Sequence, residues 1–152
     1  MKKQLTYISL FSSAGVGCFG FKQNNFECIA TNEILTKRLK IQVYNNKCKH
    51  HSGYLDGDIS SKNIKDKLFD EIELWKEKHH IKEPDVVIAT PPCQGMSVAN
   101  HKKNNEKSRN SLVVESIKIT KEVLPKFFIF ENVRAFLNTI CTDIDGVDKS
   151  IN

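Results

Sequence analysis

Apolar positions along this chain fall into two patterns, short unbroken runs and repeats at helical spacing. Leu5 to Phe11 (LTYISLF) reads as a first strand ending at a small, glycine-bearing turn, and Phe26 to Ala30 (FECIA) reads as a second. Asp85 to Ala89 (DVVIA) and Phe127 to Phe130 (FFIF) have the continuous apolar character of strands buried on both faces. Helical patterns lie between them. Leu35, Leu39 and Val43 share one face of a helix predicted over Ile34 to Tyr44. Ile64, Leu68, Ile72 and Trp75 recur at helical spacing among many charges, and Trp75 is expected in the core. Val113, Ile117, Thr120 and Leu124 suit one face of a further helix that Pro125 stops. Asn100 to Asn110 reads as a polar, basic, mobile loop, and Cys141 to Asn152 as a polar loop without pattern. Strands alternating with helices predict an α/β fold: a mainly parallel sheet with helices on both faces, binding ligands beyond the carboxyl ends of its strands.

The 152 residues suit one domain, 1–152, with a single sizeable core. An apolar fraction of 39% and a charged fraction of 27% are those of an ordinary globular protein, and no apolar run is long enough to span a bilayer. No membrane partner is expected, nor a signal peptide. The net charge of +5 permits nucleic acid as a partner without demanding it. The five cysteines, Cys18, Cys28, Cys48, Cys93 and Cys141, are odd in number and lack paired spacing, which argues against a disulfide framework and for a reducing cytoplasm. Cys48, His50 and His51 have no second pair at zinc spacing, so no metal is expected.

The chemistry concentrates just after the strands. Thr90-Pro91-Pro92-Cys93-Gln94-Gly95-Met96-Ser97 follows DVVIA directly. Its prolines fix the backbone and Gly95 permits a tight path, so Cys93 is held on a rigid turn where a thiolate could act as nucleophile. Glu131-Asn132-Val133 follows FFIF. Glu33 ends the second strand, where a carboxylate can accept bonds from both ribose hydroxyls of a nucleoside.

Pro-Pro-Cys-Gln-Gly-Met-Ser and Glu-Asn-Val, at this separation, resemble the two catalytic motifs of the DNA (cytosine-5) methyltransferase family. Leu10-Phe11-Ser12-Ser13-Ala14-Gly15-Val16-Gly17 resembles the family's Phe-x-Gly-x-Gly-x-Gly loop, with Ser13 where the first glycine is usual and Ser9 where an aspartate often precedes Leu-Phe. The resemblance covers nearly the full chain and corresponds to the N-terminal part of the family's catalytic domain.

It implies a Rossmann-like S-adenosylmethionine-dependent methyltransferase sheet, incomplete at its C-terminal side. The cofactor, S-adenosyl-L-methionine, would be held by Phe11, Ser12, Gly15, Gly17, Glu33, Ile34, Asp58, Ile59, Pro92 and Leu112, with Asp58 near the adenine amino group and Ile34 and Ile59 as apolar walls. Cys93 would add to C6 of a flipped-out cytosine in duplex DNA while Glu131 grips the N3 edge. Pro91, Gln94, Ser97, Asn132 and Val133 would line the substrate, Asn132 by holding neighbouring backbone. The setting implied is a microbial cytoplasm and a restriction–modification system. After Phe136 there is no Gln-x-Arg-x-Arg motif, no target-recognition region and none of the C-terminal motifs. A second polypeptide or a missing C-terminal half is therefore expected to complete the enzyme. An RNA (tRNA) cytosine-5 methyltransferase, or a catalytically silent cofactor-binding subunit, would carry much of the same pattern.

Overall fold

The computed structural model describes residues 4–92 and 106–132 and two further short strands. The elements are β1 (Leu5–Leu10), α1 (Phe19–Gln23), β2 (Phe26–Glu33), α2 (Thr36–Tyr44), β3 (Tyr54–Asp56), α3 (Lys62–His79), β4 (Val86–Ala89), α4 (Glu106–Val123), β5 (Phe127–Phe130), β6 (Ile140–Thr142) and β7 (Asp148–Ser150). The first five strands form one parallel sheet in the order β3-β2-β1-β4-β5, and β6 and β7 pair antiparallel.

Alternation along the strands feeds two cores. Ile8, Leu10, Ile29, Leu55 and Val87 pack on one face with Ile64, Leu68, Ile72 and Trp75 of α3 and Ile119 and Val123 of α4. Tyr7, Cys28, Val86 and Ile88 point to the other face, against Phe21 of α1, Cys18 and Cys48. Helices therefore cover both faces of the sheet, which is the Rossmann-like arrangement. Ser61 caps α3, its hydroxyl accepting from the Ile64 amide at 3.4 Å, and His80 ends that helix in the left-handed region at φ 53. The chain moves outward from β1 through β2 to β3, then returns to lay β4 and β5 on β1's other side. The reversal leaves a crevice at the carboxyl ends of β1 and β4, the place where open α/β sheets bind ligands.

Several expectations need correction. Phe11 lies beyond β1, and β2 runs three residues past Ala30, to Glu33. α2 begins at Thr36, not Ile34; its buried residues are Leu39 and Gln42, while Leu35 is exposed. The buried face of α4 is Val113, Ser116, Ile119 and Val123, whereas Ile117 and Leu124 face outward. Ser116 tolerates burial because its hydroxyl donates to the Leu112 carbonyl at 2.8 Å, one helical turn back. FFIF is a strand but not a fully buried one: as the outer strand it leaves Phe127 68%, Phe128 62% and Ile129 43% exposed. Helix, not loop, begins at Glu106, and β6 and β7 occupy part of the segment read as patternless, Cys141 to Asn152. Residues 100–105 lie outside the described residues.

At the sheet's opposite end, Asp85 ties three elements together. Its Oδ2 accepts from the Thr6 amide at 2.8 Å and the Thr6 hydroxyl at 3.1 Å, and its Oδ1 is bonded by the Lys126 ammonium. Burial pushes the Asp85 carboxyl up, but Lys126 and Thr6 outweigh it and hold the pKa below its ordinary value. With the folded pKa below the unfolded one of about 3.9, this carboxylate's stabilisation is complete above the unfolded value and is lost as pH falls through the folded one. The urea midpoint is therefore expected to drop on acidification below about pH 4. Asp85→Asn should be less stable at neutral pH and should show a flatter acid dependence.

Candidate active site

The loop after β1 is shaped by backbone that side chains rarely adopt. Phe11, Ser13 and Gly15 have φ of 56, 51 and 85. Ser13 occupies the position where the motif resemblance expects glycine, and its positive φ is the conformation that glycine adopts without strain. A left-handed non-glycine residue costs roughly 1–2 kcal/mol, against roughly 0.5–1 kcal/mol for glycine's extra unfolded freedom. Ser13→Gly is thus expected to stabilise the fold by about 0.5–1 kcal/mol in thermal unfolding. Gly15 is needed twice over, since a Cβ there would also sit 3.1 Å from Gln42 Cγ. A Cβ on Gly17 would meet nothing within 4 Å, so contacts inside the fold do not demand that glycine.

Buried polar groups hold this loop. The Ser12 amide and hydroxyl both donate to the Asn32 carbonyl at 2.9 Å. Gln42 Nε2 donates to Ser12 Oγ at 2.8 Å and to the Ser13 carbonyl at 2.6 Å, while its Oε1 accepts from Thr31 Oγ1 at 2.7 Å. Lys47 Nζ extends the network, donating to Thr31 Oγ1 at 2.9 Å. Asn32 Nδ2 donates to the carbonyls of Leu55 at 3.1 Å and Gly57 at 2.9 Å, drawing the end of β3 against β2.

Glu33, 4% exposed, uses both oxygens: Oε2 accepts from the Ser13 amide at 2.8 Å and Oε1 from the Leu35 amide at 2.9 Å. Asp58 is exposed, and its Oδ1 accepts from the Ser60 amide at 2.9 Å and hydroxyl at 2.7 Å. Ile34 is 62% exposed beside Glu33, whereas Ile59, 1% exposed, belongs to the core. A cavity of about 530 Å³ opens behind the loop, lined by Tyr7, Gly15, Val16, Phe19, Gln42 and Lys47 among others.

The next two strand ends are tied to the first and to each other. Thr90 donates from its amide to the Leu10 carbonyl at 3.2 Å and from its hydroxyl to the Phe11 carbonyl at 2.9 Å. The Glu131 amide donates to the Ala89 carbonyl at 3.1 Å, and Asn132 Nδ2 to the Pro91 carbonyl at 3.1 Å. Pro91 is buried, Pro92 half-buried and the Glu131 side chain exposed. Leu112 is half-buried near the start of α4. Cys93, Gln94, Ser97 and Val133 lie outside the described residues.

Asn32 and Gln42 were not singled out from the sequence, and Thr90 only as the head of the Pro-Pro-Cys segment. Gln42 left one signal there: a polar residue three positions after Leu39 on the inward side of a predicted helix.

A family model described as C-5 cytosine-specific DNA methylase matches residues 5–142, which include both Cys93 and Glu131. The chain belongs to this family. The type II methyltransferase M1.HgaI of Avibacterium volantium is 35% identical over 139 residues, covering 88% of this chain and 36% of that protein. The type II methyltransferase M.AquIA of Picosynechococcus is 30% identical over 141 residues, covering 91% and 51% respectively. A solved structure of an E. coli prophage-encoded protein, described as a DNA modification methyltransferase, superposes with a TM-score of 0.61 at 24% identity, covering 88% of this chain and 33% of that one. That likeness establishes the fold. The chain thus spans about a third to a half of the length of these relatives. Among its described residues, no helix is long and apolar enough to cross a membrane.

Proposed function

We propose that this chain supplies the nucleophile, the cytosine-gripping carboxylate and most of the cofactor pocket of a DNA cytosine-5 methyltransferase, whose remaining parts come from further polypeptide. The observation that carries the reading is the Asn132–Pro91 hydrogen bond, reinforced by Glu131 to Ala89. It yokes the end of β5 to the segment that leads into Cys93, one strand over from the β1–β4 switch point of the sheet. A thiol and a carboxyl group on adjacent strand ends suit one pyrimidine ring between them.

Cytosine C5 is a weak nucleophile until the ring's aromaticity is broken. Cys93 adds through sulfur to C6, and Glu131 bonds the N3 edge and shares its proton, so charge develops on C5. S-adenosylmethionine, when bound, supplies an electrophilic methyl group for that carbon. Loss of the C5 proton then expels Cys93 and restores the ring. Pro91, Gln94, Ser97, Asn132 and Val133 shape the substrate side. The target base has to leave the duplex stack for any of these contacts to form.

The residues present fit the cofactor. Ile34 offers an exposed apolar surface directly after Glu33. Gly17 leaves open space at the loop, and Ser12 and Gly15 set its path. Glu33 would take the ribose hydroxyls and Asp58 the adenine amino group, with Phe11, Pro92 and Leu112 closing the pocket. Ile59 would contribute backbone, because its side chain is in the core.

The exposed outer edge of β5 supports the expectation of further polypeptide. Phe127, Phe128 and Ile129 are bare there, and a groove of about 460 Å³ runs beside them, lined by Ile117, Leu124, Pro125, Phe128 and Phe130. An uncovered apolar edge strand of this kind recruits another strand or aggregates. The polypeptide that completes the enzyme is expected to dock there and to bring the arginine motif and the target-recognition region.

The test is a trap. Duplex DNA carrying 5-fluorocytosine at the target position is incubated with S-adenosylmethionine and the chain joined to its completing polypeptide. A covalent protein–DNA species whose linked peptide contains Cys93 is expected. Absence of any adduct from an assembly that binds the cofactor would overturn the catalytic role, and methyl transfer to tRNA in place of DNA would overturn the substrate.

A further inference from the structure

A dithiol lies on the face of the sheet that α1 covers. Tyr7, Cys18, Cys28 and Cys48 are all buried there, in the core shared with Val86 and Ile88. Cys28 of β2 and Cys48, in the segment between α2 and β3, face each other across an isolated parallel bridge with their sulfurs 3.6 Å apart. Paired backbones run about 4.8 Å apart. A disulfide needs its Cα atoms roughly 4.4–6.8 Å apart. The backbone is therefore already in place, and side-chain rotation supplies the remaining approach. Gly53 permits this closeness: a Cβ there would sit 2.3 Å from the Ile29 carbonyl oxygen and 3.4 Å from Cys48 Sγ. Cys18 has a different neighbour, with its sulfur 3.1 Å from Ser9 Oγ.

We propose that Cys28 and Cys48 form a reversible dithiol site, which hydrogen peroxide closes to a disulfide that staples β2 to the segment between α2 and β3. Cys28 is the attacking sulfur. Burial works against its charged form, but the Cys48 thiol, the Lys47 ammonium and the Tyr7 hydroxyl outweigh burial and hold its pKa below that of an ordinary thiol. Cys48 is pushed the other way by burial and by Cys28, so it stays the proton donor of the pair. The Cys28 thiolate attacks one peroxide oxygen, the O–O bond breaks, and the departing hydroxide takes a proton to leave as water. Cys48 sulfur then attacks the resulting sulfenic acid, the S–S bond forms and the S–O bond breaks. The second hydroxide leaves as water with the Cys48 proton. Two thiols lose one hydrogen each, and one peroxide becomes two waters. The cavity lined by Tyr7, Cys18 and Lys47 offers a small oxidant its approach to this cluster.

The stapled segment also carries Lys47, outermost member of the Lys47–Thr31–Gln42–Ser12 chain that holds the loop after β1. The proposal does not depend on the methyltransferase reading. A reversible pair of this type is what a reducing compartment tolerates, unlike a permanent disulfide framework.

The folded 152-residue chain is exposed to hydrogen peroxide, its remaining thiols are alkylated after unfolding, and peptides are mapped without reduction. The peptide carrying Cys28 should be recovered joined to that carrying Cys48, lighter by two hydrogens and released by dithiothreitol. The oxidised chain should unfold at a higher temperature than the reduced one, a shift absent from Cys48→Ser, whose Cys28 is instead labelled by a sulfenic-acid probe. Full alkylation of both cysteines after oxidation, linkage of Cys28 to Cys18, or an unchanged unfolding temperature in the linked chain would each overturn the proposal.

Discussion

Serine in place of Cys93 is expected to abolish methyl transfer by the completed enzyme, lowering the rate on the order of 10⁴-fold or more, because a hydroxyl at neutral pH does not add to a pyrimidine ring as a thiolate does. Binding of S-adenosylmethionine should be unchanged, since the Cys93 side chain is not among its expected contacts. Glu131→Gln removes the shared proton at N3 but keeps a hydrogen-bonding group there, and about 10²–10⁴-fold of the rate should go with it. Glu131→Gln should not alter the unfolding midpoint appreciably, because the Glu131 side chain is exposed and only its amide joins the sheet. Tritium transfer from labelled cofactor to duplex DNA reads both. A Cys93→Ser enzyme methylating at the wild-type rate would end the covalent reading.

The largest expected effect on the fold belongs to Gln42→Leu. Gln42 is 1% exposed and bonds to Ser12, Ser13 and Thr31. Leucine fills nearly the same volume, so the change tests polar satisfaction rather than packing. It takes a partner from the part-buried Ser13 carbonyl and from the buried Ser12 and Thr31 hydroxyls. Such groups cost about 1–3 kcal/mol apiece when buried alone, and with some relaxation the net loss should be about 2–4 kcal/mol in urea unfolding. The loop after β1 should loosen first, seen as faster amide exchange at Ser12 and Ser13. Unchanged exchange would mean that Asn32 and Glu33 suffice to hold it.

What the sequence disclosed followed from how long each signal was. β4 stood out because a continuous apolar run fits burial on both faces, β1 because a strand-like run ends at a glycine-bearing turn, and α3 because four large residues repeat along one stripe. β3 did not, because Tyr54–Asp56 is only three residues long and exists through pairing with Thr31–Glu33. The α4 face was misread because helical periodicity cannot choose between adjacent stripes when the buried one contains a self-satisfied serine. FFIF was right as a strand and wrong as a buried one, since burial of an outer strand depends on what lies beside it. For the proposed site, motif resemblance offered Glu33, Asp58, Glu131 and Asn132, but not the side chains that hold their loops. Gln42 and Asn32 act through backbone carbonyls far away in sequence, and such partners leave no local pattern.

Glu33 has a kinetic and entropic corollary. Each carboxylate oxygen offers about two lone-pair directions, and one on each oxygen is already taken by a backbone amide. The side chain is consequently locked in a single orientation, with its unused directions pre-aimed. A diol arriving there would freeze no rotor, avoiding an ordering penalty of about 0.5–1.5 kcal/mol that a free surface glutamate would incur. Shortening the residue to aspartate would lose this rigidity together with the reach, so recognition and loop order should fail as one unit.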